Sequence, residues 1–582
     1  MKGATMLDLL ITGGTIVDGT GTPPRQGDVG ISDGRIAFLG NAKEKGETAH
    51  RTIDASGLVV TPGFIDIHTH YDPHVMWDAS VTPSSLNGVT TIFGGNCGFG
   101  LAPVDEQAAS YLVPMLARVE GMPLESLEEG LDLEWSDFAS WLARLEGRLA
   151  VNSGFMVGHS TIRRRVMGES AVGSQASASQ IEEMVRLLHE SIEAGAMGLS
   201  STRSSSHTDH NGDPVPSRHA SDEELLTLCG VVGQHPGTSL EFIPSNDTIF
   251  SDEIGTFVGR MSAAAQRSLN WNLLNVRPGP QEREGLMSRL RISDRAAEVG
   301  GRVYGLTMPE PSKLRLTFLS ALLYDTLPGW ADVMHLPVPE RIEALAKPEV
   351  RHMLREGAAS APYHLWTDWA DCTISDVGCP SLFGVVGRRI GDLVPLWGTD
   401  AFDALLNIVV QDELVTGITT PASGDDDESW AERRRLWADR RTIIGGSDAG
   451  AHLDMMSTFD CYVTFISEAV RKRQLVSLAE AIHQITDVPA QLYGVQGRGR
   501  IAHGYFADLL VFDVNTISPG QAEARSDLPA GGWRLYSEAI GIHHTLVNGI
   551  EIAKDGVLTG AVGGQVIRSG RDTTTVGIGS TW

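Results

Sequence analysis

Two histidines one residue apart, His68 and His70, close the apolar run Gly63-Phe64-Ile65-Asp66-Ile67. On a β-strand, residues i and i+2 share a face, so both imidazoles point to the same side. Two neutral imidazoles at that spacing can bind one first-row metal ion, zinc being the commonest. The competing reading is a pair of satisfied core histidines; the position, at the end of a strand that follows a β-rich segment, favours the metal. Asp448 lies in Ile443-Ile444-Gly445-Gly446-Ser447-Asp448-Ala449-Gly450-Ala451-His452. The small residues let the backbone turn sharply and leave the carboxylate free to bind an ion and to accept a proton from water that the ion acidifies. An aspartate capping a helix competes with that reading. Cys97, in Gly94-Gly95-Asn96-Cys97-Gly98-Phe99-Gly100, offers a soft thiolate ligand, against the ordinary reading of a buried structural cysteine.

The chain that carries these residues has 582 of them, with 46 Lys+Arg against 73 Asp+Glu and a formal charge of −27. That excess of acid disfavours nucleic acid and anionic membrane surfaces as partners and leaves a small molecule as the expected ligand. Five scattered cysteines do not resemble a disulfide framework. The start, MKGATMLDLLITGG, reads as a strand rather than a secretory signal, and no apolar stretch is long enough to span a bilayer. A cytoplasmic protein is expected; self-association into a homo-oligomer is left open. The short basic runs Arg163-Arg164-Arg165 and Arg433-Arg434-Arg435 read as solvated faces.

Eight short apolar or β-branched runs supply the elements that must position the site: Leu58–His70, Val89–Cys97, Val151–His159, Met197–Thr202, Thr238–Pro244, Leu269–Val276, Arg302–Met308 and Thr442–Asp448. Amphipathic segments separate them, among them Ser179–Ala194, whose Ser179-Gln180-Ile181-Glu182 start is a capping-box pattern, and Ser221–Gly233. Alternation of this kind predicts an α/β fold, a (β/α)₈ TIM-like barrel. Its expected limits are residues 62–494. Both termini are β-rich: Leu7–Ile11, Thr15–Asp18, Asp28–Ile31 and Arg35–Leu39 at one end, Ala507–Phe512, His544–Val547, Ile550–Ala553 and Gln565–Arg568 at the other. They predict one small β-sandwich domain from residues 1–61 and 495–582. Between the seventh and eighth strands lie about 130 residues where a simple unit needs about 30. This predicts a largely helical insertion over about 309–441, including Leu314–Leu327, Val338–Leu354 and the Trp366–Trp369 segment, which leaves the catalytic end of the barrel and is placed to cover the site.

The motifs PGFIDIHTHYD, GVTTIFGGNCGFGLAP, VGHSTIRRRVMG, GGSDAGAH and RGRIAHGYFADLLVFD together resemble the D-aminoacylase branch (N-acyl-D-amino-acid deacylases) of the amidohydrolase superfamily, over nearly the whole chain. In that branch a cysteine replaces the carboxylated lysine of most relatives. The resemblance implies that His68, His70 and Asp448 are ligands at one metal position, with Cys97 binding or bridging toward a second, and that the cofactor is one or two divalent ions, Zn²⁺ first. One departure stands out. The family places a ligand histidine at the end of strand five and another at strand six, whereas Thr238–Pro244 and Leu269–Asn275 contain none. Glu241, Asn272 or Asn275 would stand in, although an amide is a poorer zinc ligand than imidazole. Since the absent pair belongs to the tighter position, the site is expected to hold one ion weakly, a harder ion, or none.

Three further residues complete the expected site, and two more histidines compete for it. His159 ends the third strand and either lines the pocket or supports it. Arg203 offers a bidentate clamp for a substrate carboxylate. His452 is placed to orient Asp448. His207 and His210 lie in the polar loop Ser204–Pro216, which leaves the catalytic end and competes to replace the missing histidines. The expected activity is hydrolysis of an amide C–N bond, with Asp448 as general base. The alternatives are a scaffold that has lost hydrolysis and acts by binding, or a metal enzyme for cyclic amides or another reaction.

Overall fold

A computed structural model describes residues 6–321, 323–361 and 367–580. It is an α/β protein whose centre is eight parallel strands. They are Phe64–Asp66, Val89–Gly94, Asn152–Phe155 continuing after Met156 as Val157–Gly158, Gly198–Thr202, Ser239–Ile243, Leu269–Leu274, Val303–Thr307 and Thr442–Ile444. Hydrogen bonding joins the first three into one arc and the remainder into another. The arcs share the third strand, interrupted at Met156, whose N–H donates to the Gly94 carbonyl (3.0 Å). At the other seam Thr69 bridges Ala449 in parallel. There the His70 N–H donates to the Ala449 carbonyl (2.8 Å) and the Asp448 N–H to the His68 carbonyl (3.1 Å). Every residue of these strands is buried except Leu273, which is half-buried. That explains why they read as continuous apolar runs rather than alternating ones: both faces are covered.

The run expected as one strand, Leu58–His70, divides at Pro62-Gly63. Val59–Pro62 pairs antiparallel with Leu509–Phe512 in the terminal sheet, while Phe64–Asp66 pairs with Val89–Gly94. A Cβ on Gly63 would lie 2.2 Å from Thr90, so the crossing between sheets needs glycine. The terminal sheet has nine strands and interleaves both ends of the chain, Val59–Pro62 lying between Leu509–Phe512 and Leu7–Ile16. Leu7–Ile16 is one bulged strand, not two: its register slips between Ile11 and Gly14, and Gly13 takes φ 71°. Gln565–Arg568 is not a strand of this sheet; Val566 makes a single bridge to Ser153 of the third parallel strand.

The helix expected at Ser179–Ala194 spans Ala178–Glu193 and is capped two residues earlier than predicted. Ser177 and Gln180 form the reciprocal capping pair, at 3.3 and 2.8 Å. Between the seventh and eighth strands, Val338–Leu345 and Pro348–Ser360 form two helices where one was expected, because proline cannot continue a helix from behind. Leu314–Leu327 is not helical: Arg315–Leu316 joins a three-stranded sheet with Gly417–Thr419 and Thr373–Asp376, and Tyr324–Thr326 makes a single tight turn. Leu322 and Trp366 lie outside the described residues. This segment has its own core, in which Trp330 stacks on Trp369 (centroids 6.0 Å apart). The Arg315 N–H ties it to the Met455 carbonyl (2.8 Å), seven residues beyond Asp448. Among the described residues no single helix is long and apolar enough to cross a membrane. Only Ile390–Trp397 with Ala401–Gln411, bent by 93°, passes by length and composition together, and both pack into that core.

Two arginines expected on solvated faces are buried. Arg433 donates to the carbonyls of Gly424 (2.5 Å) and Val276 (3.4 Å) and lies over Trp430. Arg163 pairs with Glu224, which also accepts from His159 at 2.9 Å; all three side chains are fully buried. Removing one member of a buried ion pair leaves the other charge uncompensated, at a cost of about 3–5 kcal/mol. Glu224→Gln is therefore expected to lower the unfolding free energy by about that amount, read from the midpoint of a denaturant titration.

Candidate active site and metal centre

The first and eighth strands bring their terminal side chains together. Asp448 Oδ1 lies 3.3 Å from His68 Nε2 and 3.2 Å from His70 Nε2. Cys97 Sγ, from the end of the second strand, lies 3.4 Å from His68 Nε2 and 3.8 Å from His70 Nε2. Among the described residues, His68, His70 and Cys97 form a group that could hold a metal ion, their donor atoms all lying within 4.8 Å of one another. Ligand atoms around a four-coordinate zinc, with bonds of about 2.0–2.3 Å, are separated by roughly 3.3–3.6 Å; three of the separations above lie at or close to that spacing, and Cys97 to His70, at 3.8 Å, is wider. Asp448 Oδ1 has no hydrogen-bond donor, nor have the buried oxygens Glu241 Oε1 and Asp72 Oδ1. The residues present therefore fit a cation.

Electrostatics point the same way. Burial opposes charge on Asp448, but both imidazoles outweigh it and hold the carboxyl well below its usual range. Burial likewise opposes protonation of His70, yet Glu120, Asp448 and Asp72 raise it to about 9. Burial, then Glu241, Glu120 and Asp448, push the Cys97 thiol far up, and burial lifts Glu241 to about 8. Acid groups outnumber bases here, and a divalent ion would oppose the upward shifts of His70, Cys97 and Glu241 and reinforce the downward shift of Asp448. Local backbone adds to the picture. Cys97 (φ 57°), Asp448 (φ 59°) and His452 (φ 49°) all occupy the left-handed region, sparsely populated by non-glycine residues and concentrated at functional sites.

The other expected residues fall into two groups. Glu241, on the fifth strand, accepts the Cys97 N–H through Oε2 (2.8 Å) and presents Oε1 unpaired. Asn272, on the sixth, holds Oδ1 unpaired against the close turn at Gly446. Asn275 and His452 line the cavity with Asp448; no hydrogen bond joins His452 to Asp448 among the described residues. His159 is instead occupied on both nitrogens, by Ser201 (2.8 Å) and Glu224 (2.9 Å), inside the buried network described above. Arg203 pairs with Asp222 (2.7 Å) and lies over Phe257, so its guanidinium is already engaged.

Two residues not anticipated join the site. Glu120, just past helix Glu106–Val119, lies 3.3 Å from His70 Nδ1, and its carbonyl accepts the His452 N–H. Asp72, two residues after His70, accepts the Gly95 N–H (2.9 Å). The HTHYD string was the available signal for Asp72; Glu120 had none. The cavity above Asp448 has a volume of about 660 Å³. The loop after the fourth strand (Ser205–Thr208), the sixth-strand end (Leu273, Arg277) and the insertion (Glu310–Leu314, Leu323) all line it, so the insertion does wall the site.

The profile of the Amidohydrolase family matches residues 51–553, and the chain belongs to that family. The D-aminoacylase of Alcaligenes xylosoxydans xylosoxydans is 26% identical over 570 residues, 96% of this chain and 97% of that protein. The N-acyl-D-aspartate deacylase of the same organism is 27% identical over 580 residues, 97% of this chain and 95% of that protein. A solved D-aminoacylase, described as having a binuclear metal centre, superposes with a TM-score of 0.65 at 25% identity, over 97% of this chain and 100% of that one. Within the family the chain falls in the D-aminoacylase branch, and it is a metal-binding hydrolase acting on C–N bonds.

Orienting groups of this kind set the tautomer of a ligand histidine, and losing one weakens metal binding about 10–100-fold. Glu120→Gln is expected to weaken zinc binding by that factor, measured by competition with a chelator, with the far-UV circular dichroism unchanged.

Proposed function

We propose that this chain deacylates N-acyl amino acids, N-acyl-D-amino acids in particular, using a divalent ion to activate water. The observation that carries the reading is the close approach of Asp448 and Cys97 to His68 and His70, with Asp448 lining the cavity. These four would hold the ion. A thiolate with imidazoles and a carboxylate suits zinc. Glu241 and Asn272, both with unpaired buried oxygens, stand on the strands where the family has its second pair of ligands, and they would offer a second ion harder donors. When bound, the ion supplies Lewis acidity that polarises the amide carbonyl and acidifies water.

The chain's own residues supply the remainder. Asp448, ionised and free of protein donors, takes the proton from water and returns it to the leaving nitrogen. Glu120, 3.3 Å from His70 Nδ1, favours the proton on that nitrogen, which keeps Nε2 available as a lone-pair donor. Arg277, which forms no ion pair among the described residues, and Lys313 bring positive charge to the cavity wall and suit a substrate carboxylate. The insertion lines the cavity through Glu310–Leu314 and Leu323, beside the parallel strands read here as a (β/α)₈ barrel of residues 62–494, with residues 1–61 and 495–582 as a β-sandwich. The substrate is a small molecule, and five free thiols favour a reducing, cytoplasmic setting.

Asp448→Asn is expected to keep the fold and lose nearly all turnover of N-acyl-D-amino acids. His68→Ala is expected to lose metal, measured by elemental analysis of protein purified without added metal. Near wild-type turnover by Asp448→Asn would overturn the mechanism.

A further inference from the structure

We infer that His207 is a catalytic residue, the neutral hydrogen-bond donor to the oxygen that becomes negative when the substrate carbonyl is attacked; this rests on the amide-hydrolase reading above. His207 belongs to the loop after the fourth parallel strand and lines the same cavity as Asp448 and His452. Neither ring nitrogen has a hydrogen-bond partner among the described residues, and Nδ1 is fully buried. The residue as a whole is half-buried, and its enclosed nitrogen, left without a partner, is unfavourable unless something that comes and goes completes it.

The loop is built to hold that ring still. The His207 N–H donates to the Ser204 carbonyl (3.2 Å), while its own carbonyl accepts from Val215 N (3.3 Å) and from Arg218 Nη1 (3.1 Å). Asp209 gathers the N–H groups of Asn211 and Asp213 (2.9 and 3.0 Å) and the Tyr111 hydroxyl (2.9 Å). The ring itself packs on Phe99, centroids 5.3 Å apart, two residues beyond Cys97. A fixed loop, a packed ring and two unpaired nitrogens on the wall of the cavity that Asp448 also lines amount to a preorganised donor, the arrangement that stabilises developing negative charge at no reorganisation cost. Surrounding His70, His452 and Arg218 disfavour a positive imidazole and Asp448 favours one, with burial the strongest influence and against charge. The ring therefore donates an N–H without giving up its proton, and no bond to it forms or breaks.

Three variants of the full-length, metal-loaded protein test this. His207→Ala is expected to lower kcat about 10²–10³-fold, the usual loss of one such donor, with KM and metal stoichiometry unchanged. His207→Gln, which keeps an N–H donor, should recover at least about tenfold of that loss, and His207→Phe, which keeps only the packing on Phe99, none. Binding of methylphosphonate, a tetrahedral oxyanion with no amino-acid part, reads the same donor without turnover and should weaken about tenfold in His207→Ala. Unchanged kcat and phosphonate affinity in His207→Ala, equal activity of the Gln and Phe variants, or loss of metal in His207→Ala would each overturn the assignment, the last by making His207 a ligand. Wild-type protein inert toward N-acyl-D-amino acids but with phosphonate binding that depends on His207 would reject the substrate reading and keep the donor.

Discussion

The seam between the first and eighth parallel strands is the interaction on which the site depends. His68 and His70 lie on one side, Asp448 on the other, and the chain between them is closed by main-chain bonds rather than by the side chains themselves. Beneath it, Ser447 Oγ donates to Asp66 Oδ2 (2.6 Å) and contacts the His68 carbonyl (3.2 Å), and accepts the Ala449 N–H (3.1 Å). Gly450 packs so tightly that a Cβ there would lie 2.8 Å from the His70 carbonyl carbon. These contacts fix the distance from carboxylate to imidazoles before any ion arrives, which is what allows three side chains from strands nearly 400 residues apart in sequence to act as one donor set.

Charge supplies the second constraint. Asp448, Glu120, Glu241 and Asp72 crowd around two imidazoles and a thiol, with no lysine or arginine bonded to any of the four carboxylates among the described residues. Such a cluster is costly to bury unless a cation completes it. Burying Arg163 with Glu224 follows the opposite logic: a charge pair neutralised within the protein needs nothing from outside, and His159 is drawn into it and away from the pocket. The two histidines that follow the first and third parallel strands, His70 and His159, therefore have different fates for the same reason, namely which countercharge lies within reach.

Much of this was legible in the sequence where the geometry is local. Residues i and i+2 at a strand end, and an aspartate among glycines, fix directions over a few ångströms. The eight parallel strands were readable because a buried strand writes itself as an apolar run. Where two distant segments meet, the sequence was silent. Glu120 lies fifty residues past His70 and reaches it only because helix Glu106–Val119 returns to the strand ends. Arg163 was misread as part of a basic triplet, although its spacing of four from His159 on helix His159–Met167 already put both on one face. The run Leu58–His70 read as one strand because apolar character does not reveal which of two sheets a residue joins. Only Pro62-Gly63 marked the change.

The insertion packs around its own Trp330 core, yet Leu314, Leu323 and Lys313 on its surface also wall the cavity. The groups that would hold the ion and move the proton sit on the parallel strands, whereas much of the wall that a substrate touches belongs to a separately cored unit. Chemistry and selectivity are thus carried by different parts of the chain and are free to diverge at different rates. A lineage can recut the wall to admit a new acyl compound while His68, His70, Cys97 and Asp448 stay as they are, and grafting this segment between relatives is a natural way to exchange their substrate ranges.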